Sequence, residues 1–165
     1  MNLQELFTMQ LELDNAIGQK AKAKDPSWNA DEMLKQGSIA ILVELAEFAN
    51  EIQTFKYWKQ NKTVNKDLVL EEYADILHFL ISYSNHFKSE SEIKILYKTR
   101  DVNQHILDCF SIASKWSKNP NKRVLKKLFG YILGFITILN MSEQEVVAAY
   151  KAKNRKNHER LKNNY

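Results

Sequence analysis

The chain has 165 residues and a net charge of +4, with hydrophobic residues at 44% and charged residues at 27%. That is enough for one domain, 1–165, with a substantial core and an ordinary globular composition. Four Gly, two Pro and the scarcity of alternating Val-rich runs argue against a β-rich fold and for an almost wholly helical one. The longest apolar run, near YILGFITIL, is too short to span a bilayer. The start, MNLQELFTMQLELDN, has early acids and no basic n-region, so no signal peptide is expected. Cys109 is alone, which excludes an internal disulfide framework and is compatible with a reducing cytoplasm. The charge is uneven: residues 150–165 hold six Lys/Arg against one Glu, a net +5, which leaves −1 for the other 149 residues.

A first helix is predicted over residues 3 to about 22, with Leu3, Leu6, Phe7, Met9, Leu11, Leu13 and Ile17 supplying an apolar stripe. Asp25-Pro26-Ser27 ends it, because the residue before Pro disfavours helix. A second helix starts near Asn29 or Asp31, where Asn29-Ala-Asp-Glu32 resembles a capping box, and runs to about Trp58. Residues 59–66, rich in Asn and Lys, read as a solvated loop. A third helix covers about 67–87, and a less regular, more charged fourth helix covers 89–116. Asn119-Pro120-Asn121 is a turn, a fifth helix follows to Leu139, and Ser142-Glu-Gln-Glu145 has the spacing of a capping box that starts a last helix into the basic end. The expected fold is all-α, a helical bundle of about six helices with short connections.

Two carboxylate clusters stand out. Glu44-Leu-Ala-Glu47 lies on the second helix and Glu72-Tyr-Ala-Asp75 on the third, and each pair projects from one helix face. A single pair of this spacing is usually a solvated face. Two pairs on helices that can be neighbours, with Leu42, Val43, Leu45, Ala46 and Phe48 around the first, point instead to a hard divalent cation such as Mg²⁺ held by oxygen ligands. Such an ion beside a helical scaffold suggests phosphate chemistry, with a water activated by the ion or by a carboxylate base. A di-iron centre needs two Glu-x-x-His units, and Asp75-Ile-Leu-His78 is the only carboxylate-x-x-His unit near these acids. In the basic end, Lys153, Asn157 and Arg160 stand at i, i+4 and i+7, one helical face with the donors a polyphosphate needs. Cys109 and Trp116 read as core, the stripe of Phe129, Tyr131 and Phe135 as core or dimer surface, and His86, His105 and His158 as surface. Trp28 reads as packing, with a lid role as the alternative.

The ExxE/ExxD pair resembles the all-α NTP pyrophosphatase superfamily. LFTMQLELDNAI, ELAEFANEIQTFKYWK, EEYADILHF and AYKAKNRKNHERLKNNY, in that order along the chain, resemble more narrowly the dimeric all-α dUTPases. The resemblance implies Mg²⁺ bound by Glu44, Glu47, Glu72 and Asp75, with Glu47 as general base. It implies that Gln10 and Asp14 lie near the uracil or sugar, His78 and Phe79 near the base and deoxyribose, and that Lys56 and Trp58 border the pocket. Lys153, Asn157 and Arg160, with Asn154, would reach the phosphates. It also implies a homodimer that hydrolyses dUTP to dUMP and pyrophosphate. Two departures are visible: Asp14 stands where some relatives carry Asn, and Asn164-Tyr165 replaces a closing Gly-Tyr. The competing readings are the same fold acting on another nucleotide, such as dCTP or a modified one, and a non-catalytic module binding nucleic acid through its basic end. The second leaves the enclosed acids without a role, so neither nucleic acid nor a membrane is the expected partner.

Overall fold

The computed structural model describes residues 1–61 and 63–163. Among them are six α-helices: α1 (Gln4–Lys24), α2 (Ala30–Ile52), α3 (Lys66–His86), α4 (Val102–Lys118), α5 (Lys122–Ile138) and α6 (Glu143–Lys162). The all-α, six-helix expectation holds. Lys62 in the predicted loop and the closing Asn164-Tyr165 lie outside the described residues. No single helix among the described residues is long and apolar enough to cross a membrane; α5 and α6 meet that test only when joined across a 120° bend, and α5 is a core helix.

Short polar side chains start the helices. Asn29 accepts from the amides of Asp31 and Glu32, and Asn65 from those of Asp67 and Leu68. Asp101 and Asn121 accept from Gln104 and Val124, three residues on. The complete reciprocal capping box forms at Ser142 and Glu145, ahead of α6.

Two predicted boundaries are corrected. The second helix stops at Ile52 rather than near Trp58, because Gln53 turns into the left-handed region at φ 62° and closes the last turn through its N–H to Ala49 O. Residues 54–58, aromatic and β-branched, then form turns. The fourth helix starts at Val102, not at Ser89. The residues before it form an extended strap: Leu3 N–H donates to Ser91 O, Ile93 N–H to Met1 O and Leu96 N–H to Gly130 O, with one antiparallel bridge between Asn2 and Glu92. The alternation Glu92-Ile93-Lys94-Ile95 buries Ile93 and exposes Lys94, the period of a strand rather than of a helix.

α3 is the central helix, packed on α1, α2, α5 and α6, while α4 packs on α5 and α2. Its buried residues, from Val69 and Leu70 through Tyr73, Ile76 and Leu77 to Leu80 and Ile81, face nearly all round, as a helix surrounded by others requires. Phe48 of α2 meets Tyr73 at 5.3 Å and Phe135 edge-on at 4.9 Å between ring centroids. Cys109, Trp116, Phe129, Tyr131 and Phe135 are all core, as expected. His105 is a correction: it is fully buried, its Nε2 2.8 Å from Tyr131 O and its ring stacked on Tyr131.

The strap passes over α5 only because that face carries glycine. A Cβ at Gly134 would stand 2.4 Å from Leu96 O and 2.9 Å from His105 Nε2. Gly18 on α1 has nothing within 4 Å of the same position. Gly134→Ala therefore introduces a clash of about 1–3 kcal/mol, against a helix-propensity gain of up to about 1 kcal/mol, and its urea midpoint falls. In the same assay Gly18→Ala receives the propensity gain alone and its midpoint rises.

Candidate active site

The acids meet where α2 and α3 pack side by side. Glu44, Glu72 and Asp75 each present a carboxylate oxygen, and these lie within 4.8 Å of one another, the one such group among the described residues. All three are partly buried. Burial, followed by the charges of Asp75, Glu47 and Glu72, pushes the Glu44 carboxyl up to about 7. Burial and then Asp75 and Glu47 raise Glu72. Burial raises Asp75 against the opposing pull of Lys153. Glu47 is within electrostatic reach of Glu44 and Glu72 but stands outside the tight trio, on an exposed side of α2. That corrects the expectation of an enclosed setting around Glu47: Val43 is 45% exposed and Ala46 is exposed too.

α6 delivers the counter-charge. Val146, Tyr150 and Asn154 form its buried stripe, four residues apart, and seat the helix against α1 and α3. Lys153, one residue before Asn154, reaches Asp75 Oδ2 at 2.5 Å and Glu71 Oε1 at 3.2 Å, with its side chain only 10% exposed. Burial works against its charge, but the bonds to Asp75 and Glu71 outweigh that and raise its pKa. Lys156 holds Glu71 from the other side at 2.8 Å, and Lys151 pairs with Glu5 at 2.5 Å. The basic end is thus a docked helix, with Lys151, Lys153 and Lys156 engaged with acids of α1 and α3.

A cavity of about 560 Å³ opens beside the trio, within the roughly 300–1,000 Å³ usual for small-molecule sites. Glu44 and Asp75 line it, as do Gln10, Asp14, His78, Phe79, Asn157 and Arg160. Eight of the sequence-predicted site residues therefore converge on one space, although they come from α1, α2, α3 and α6. The donor set fits a hard divalent ion: oxygen donors only, packed closely enough that Asp75 raises the proton affinity of Glu44 and Glu72. His78 does not complete an iron-type unit. Its Nδ1 lies 2.6 Å from Gln10 Oε1, its ring stacks on Tyr150 at 4.1 Å, and burial lowers its pKa to about 4, so it is neutral at physiological pH.

Glu47, Glu72 and Lys153 belong to the acid cluster without lining the cavity, and three further predicted site residues stand apart from both. Lys56 Nζ donates to Asn50 O and lies over the Phe55 ring, and Trp58 is 62% exposed against Phe55 and Tyr57. Neither borders the cavity of its own chain. Asn154 is buried beneath α6 with its Nδ2 unpartnered, and it does not line the cavity. The sequence reading missed Glu71, which anchors Lys153, and the cavity wall formed by Met33, Gln36, Gly37, Ser82 and Tyr83. Gly37 is there because a Cβ would fall 1.2 Å from the Tyr83 hydroxyl, which donates to Met33 O across the α2–α3 contact. Trp28 and His86 also line the wall. These residues carry no motif, and helical register alone does not say which faces meet.

A protein-family model described as dUTPase matches residues 2–165, the whole chain but for its first residue. No curated protein matches the chain. The acidic trio, the cavity beside it and the cations of α6 lie in a six-helix scaffold. With that match over the full length, the chain belongs to the all-α dUTPase family, and its reaction is the hydrolysis of dUTP.

Proposed function

We propose that the hydrolysis of dUTP to dUMP and pyrophosphate by this chain depends on Mg²⁺ held by Glu44, Glu72 and Asp75, with Glu47 beside them. The observation that carries this is the trio of partly buried carboxylates lining, or adjoining, a cavity also lined by Asn157 and Arg160. An ion bound there supplies charge neutralisation at phosphate oxygens and makes a coordinated water more acidic. Arg160 and Asn157 bind phosphate oxygens, the guanidinium by paired hydrogen bonds. Lys153 releases one carboxylate contact to a phosphate as substrate enters. Gln10, Asp14, His78 and Phe79 enclose the base and sugar in the cavity. Glu47, on the exposed side of the cluster where water has access, accepts the proton of the attacking water. The whole of 1–165 works as one unit in this reading, because α1 and α6, from opposite ends of the chain, both wall the cavity. A buried, unpaired Cys109 fits a cytoplasmic protein.

The reading extends to a homodimer. Phe55, Tyr57 and Trp58 after α2, and Ile39 and Val43 on its outer face, are large apolar side chains between 44% and 85% exposed. A second copy packed there covers them and brings Lys56 and Trp58 to the border of the partner's cavity.

Three outcomes are expected. Glu47→Gln lowers kcat by about 10²–10⁴-fold in a phosphate-release assay with dUTP and Mg²⁺, with the circular-dichroism spectrum unchanged; full activity in that variant removes Glu47 as the base. Light scattering gives twice the chain mass, and Trp58→Ala raises KM for dUTP. The third outcome concerns pH. Without a divalent ion the folded state retains the Glu44 proton up to about pH 7, against an ordinary value of 4.5, so stability falls as pH rises through that window and the loss persists above it. Glu44→Gln then gains about 1 kcal/mol at pH 8, a figure discounted because Glu44 is only half-buried, and gains nothing at pH 4. Mg²⁺ at pH 8 raises the melting temperature of the unaltered protein more than that of the variant; an equal or absent response to Mg²⁺ removes the trio as the ion site.

A further inference from the structure

Asp75 belongs to two pairs of acids on α3. With Glu72, three residues before it, it stands in the acidic trio. With Glu71, four residues before it and so one helical turn away on the same face, it holds Lys153. The ammonium lies 2.5 Å from Asp75 Oδ2 and 3.2 Å from Glu71 Oε1, on a side chain only 10% exposed. Glu71 is outside the trio and does not line the cavity. It lines a separate hollow between α3 and α6, together with Lys66, Glu145, Lys153 and Lys156. Its own carboxylate is fixed by Lys156, 2.8 Å from the same Oε1.

The two acids are therefore unequal partners for Lys153. Asp75 shares its charge with any cation held by the trio, and a divalent ion in that position repels the ammonium. Glu71, outside the trio, keeps its whole charge for the lysine. A lysine stem is long and flexible, so an ammonium without an anchor must be ordered again by each ligand it meets, at an entropic cost. We propose that Glu71 is a positioning residue: it keeps Lys153 ordered beside the trio, so that the ammonium is in place for a substrate phosphate when Asp75 turns to the ion. This rests on the reading that Lys153 binds phosphate at the ion site. Glu71 touches neither substrate nor ion and acts through Lys153. The competing account is an ion pair that only ties α6 to α3, as Lys66 and Glu145 do where these helices begin.

The test is steady-state hydrolysis of dUTP in saturating Mg²⁺ by Glu71→Ala, Lys153→Met and the double variant, with calorimetric binding of inorganic pyrophosphate in Mg²⁺ beside it. Glu71→Ala is expected to raise KM for dUTP and the dissociation constant for pyrophosphate about three- to tenfold. Its kcat stays within about twofold of the unaltered protein, the pattern of lost binding rather than lost chemistry. Glu71→Gln, which keeps an acceptor oxygen but not the charge, falls between the two. Lys153→Met raises KM further, and adding Glu71→Ala to it changes nothing more, because a residue that acts through Lys153 has no effect once Lys153 is gone. An unchanged or lowered KM in Glu71→Ala overturns the proposal, and so does a fall in kcat at constant KM. A Glu71→Ala effect that persists undiminished in the Lys153→Met background marks a tie between helices only, and overturns it too. Should Lys153→Met fail to fold, KM and kcat of Glu71→Ala and Glu71→Gln decide. Unchanged KM and pyrophosphate binding in Lys153→Met remove the phosphate role of Lys153 and the proposal with it. A weakened Lys153→Met beside an unaffected Glu71→Ala removes the proposal alone.

Discussion

The mutual repulsion of three carboxylates is the interaction on which the rest of this molecule is arranged. Glu44, Glu72 and Asp75 each bring a carboxylate oxygen within 4.8 Å of the others in a partly desolvated setting, where burial raises all three and Asp75 adds to the proton affinity of both glutamates. Such a cluster persists only if other elements oppose it. The packing of α2 on α3 through Phe48, Tyr73 and Phe135 holds the two acidic helices together from below. Lys153, reaching across from α6, brings a positive charge to 2.5 Å from Asp75. The residual excess of negative charge is of the kind a divalent ion can satisfy.

That arrangement gives α6 a double task. Its buried stripe of Val146, Tyr150 and Asn154 joins it to the core, and the same register carries Lys153, Asn157 and Arg160 toward the acids and the cavity. The helix begins with a complete capping box at Ser142 and Glu145, and Glu145 is further tied to Lys66 at the start of α3. The start of α6 is therefore pinned to the start of α3, and residues three to five turns further on keep a defined position relative to the acidic pair. The strap ahead of α4 acts at the opposite side of the bundle. By crossing Gly130 and Gly134 and bonding to residues 1 and 3, it ties the N-terminus and α1, with Gln10 and Asp14, to the α5 layer.

Much of this was legible before any coordinates. The two acidic pairs, the basic end, the helical count and the starts of most helices follow from spacing and from capping residues, which are local signals. The errors share a cause. The strap at 89–101 was read as helix because its charge masked a four-residue alternation around Ile93 and Ile95. The end of α2 was set too late because nothing in Gln53 announces a left-handed residue. His105 was read as surface because its partner, Tyr131 O, is a backbone atom 26 residues away. Lys56 and Trp58 belong to the same motif as the acids but leave the cavity of their own chain once α2 ends at Ile52.

The sequence by itself determined which helices carry paired carboxylates, and which end of the chain carries cations at helical spacing, because periodicity is a property of consecutive residues. Only the tertiary structure decided that Gln10 and Tyr150, 140 positions apart, share one hydrogen bond. It alone decided that Lys153 pairs with Asp75, and that Gly37 leaves room for the Tyr83 hydroxyl at the cavity wall. Those relations depend on which helix faces meet and at what distance, and that is set by the sum of core packing over the whole chain rather than by any local pattern.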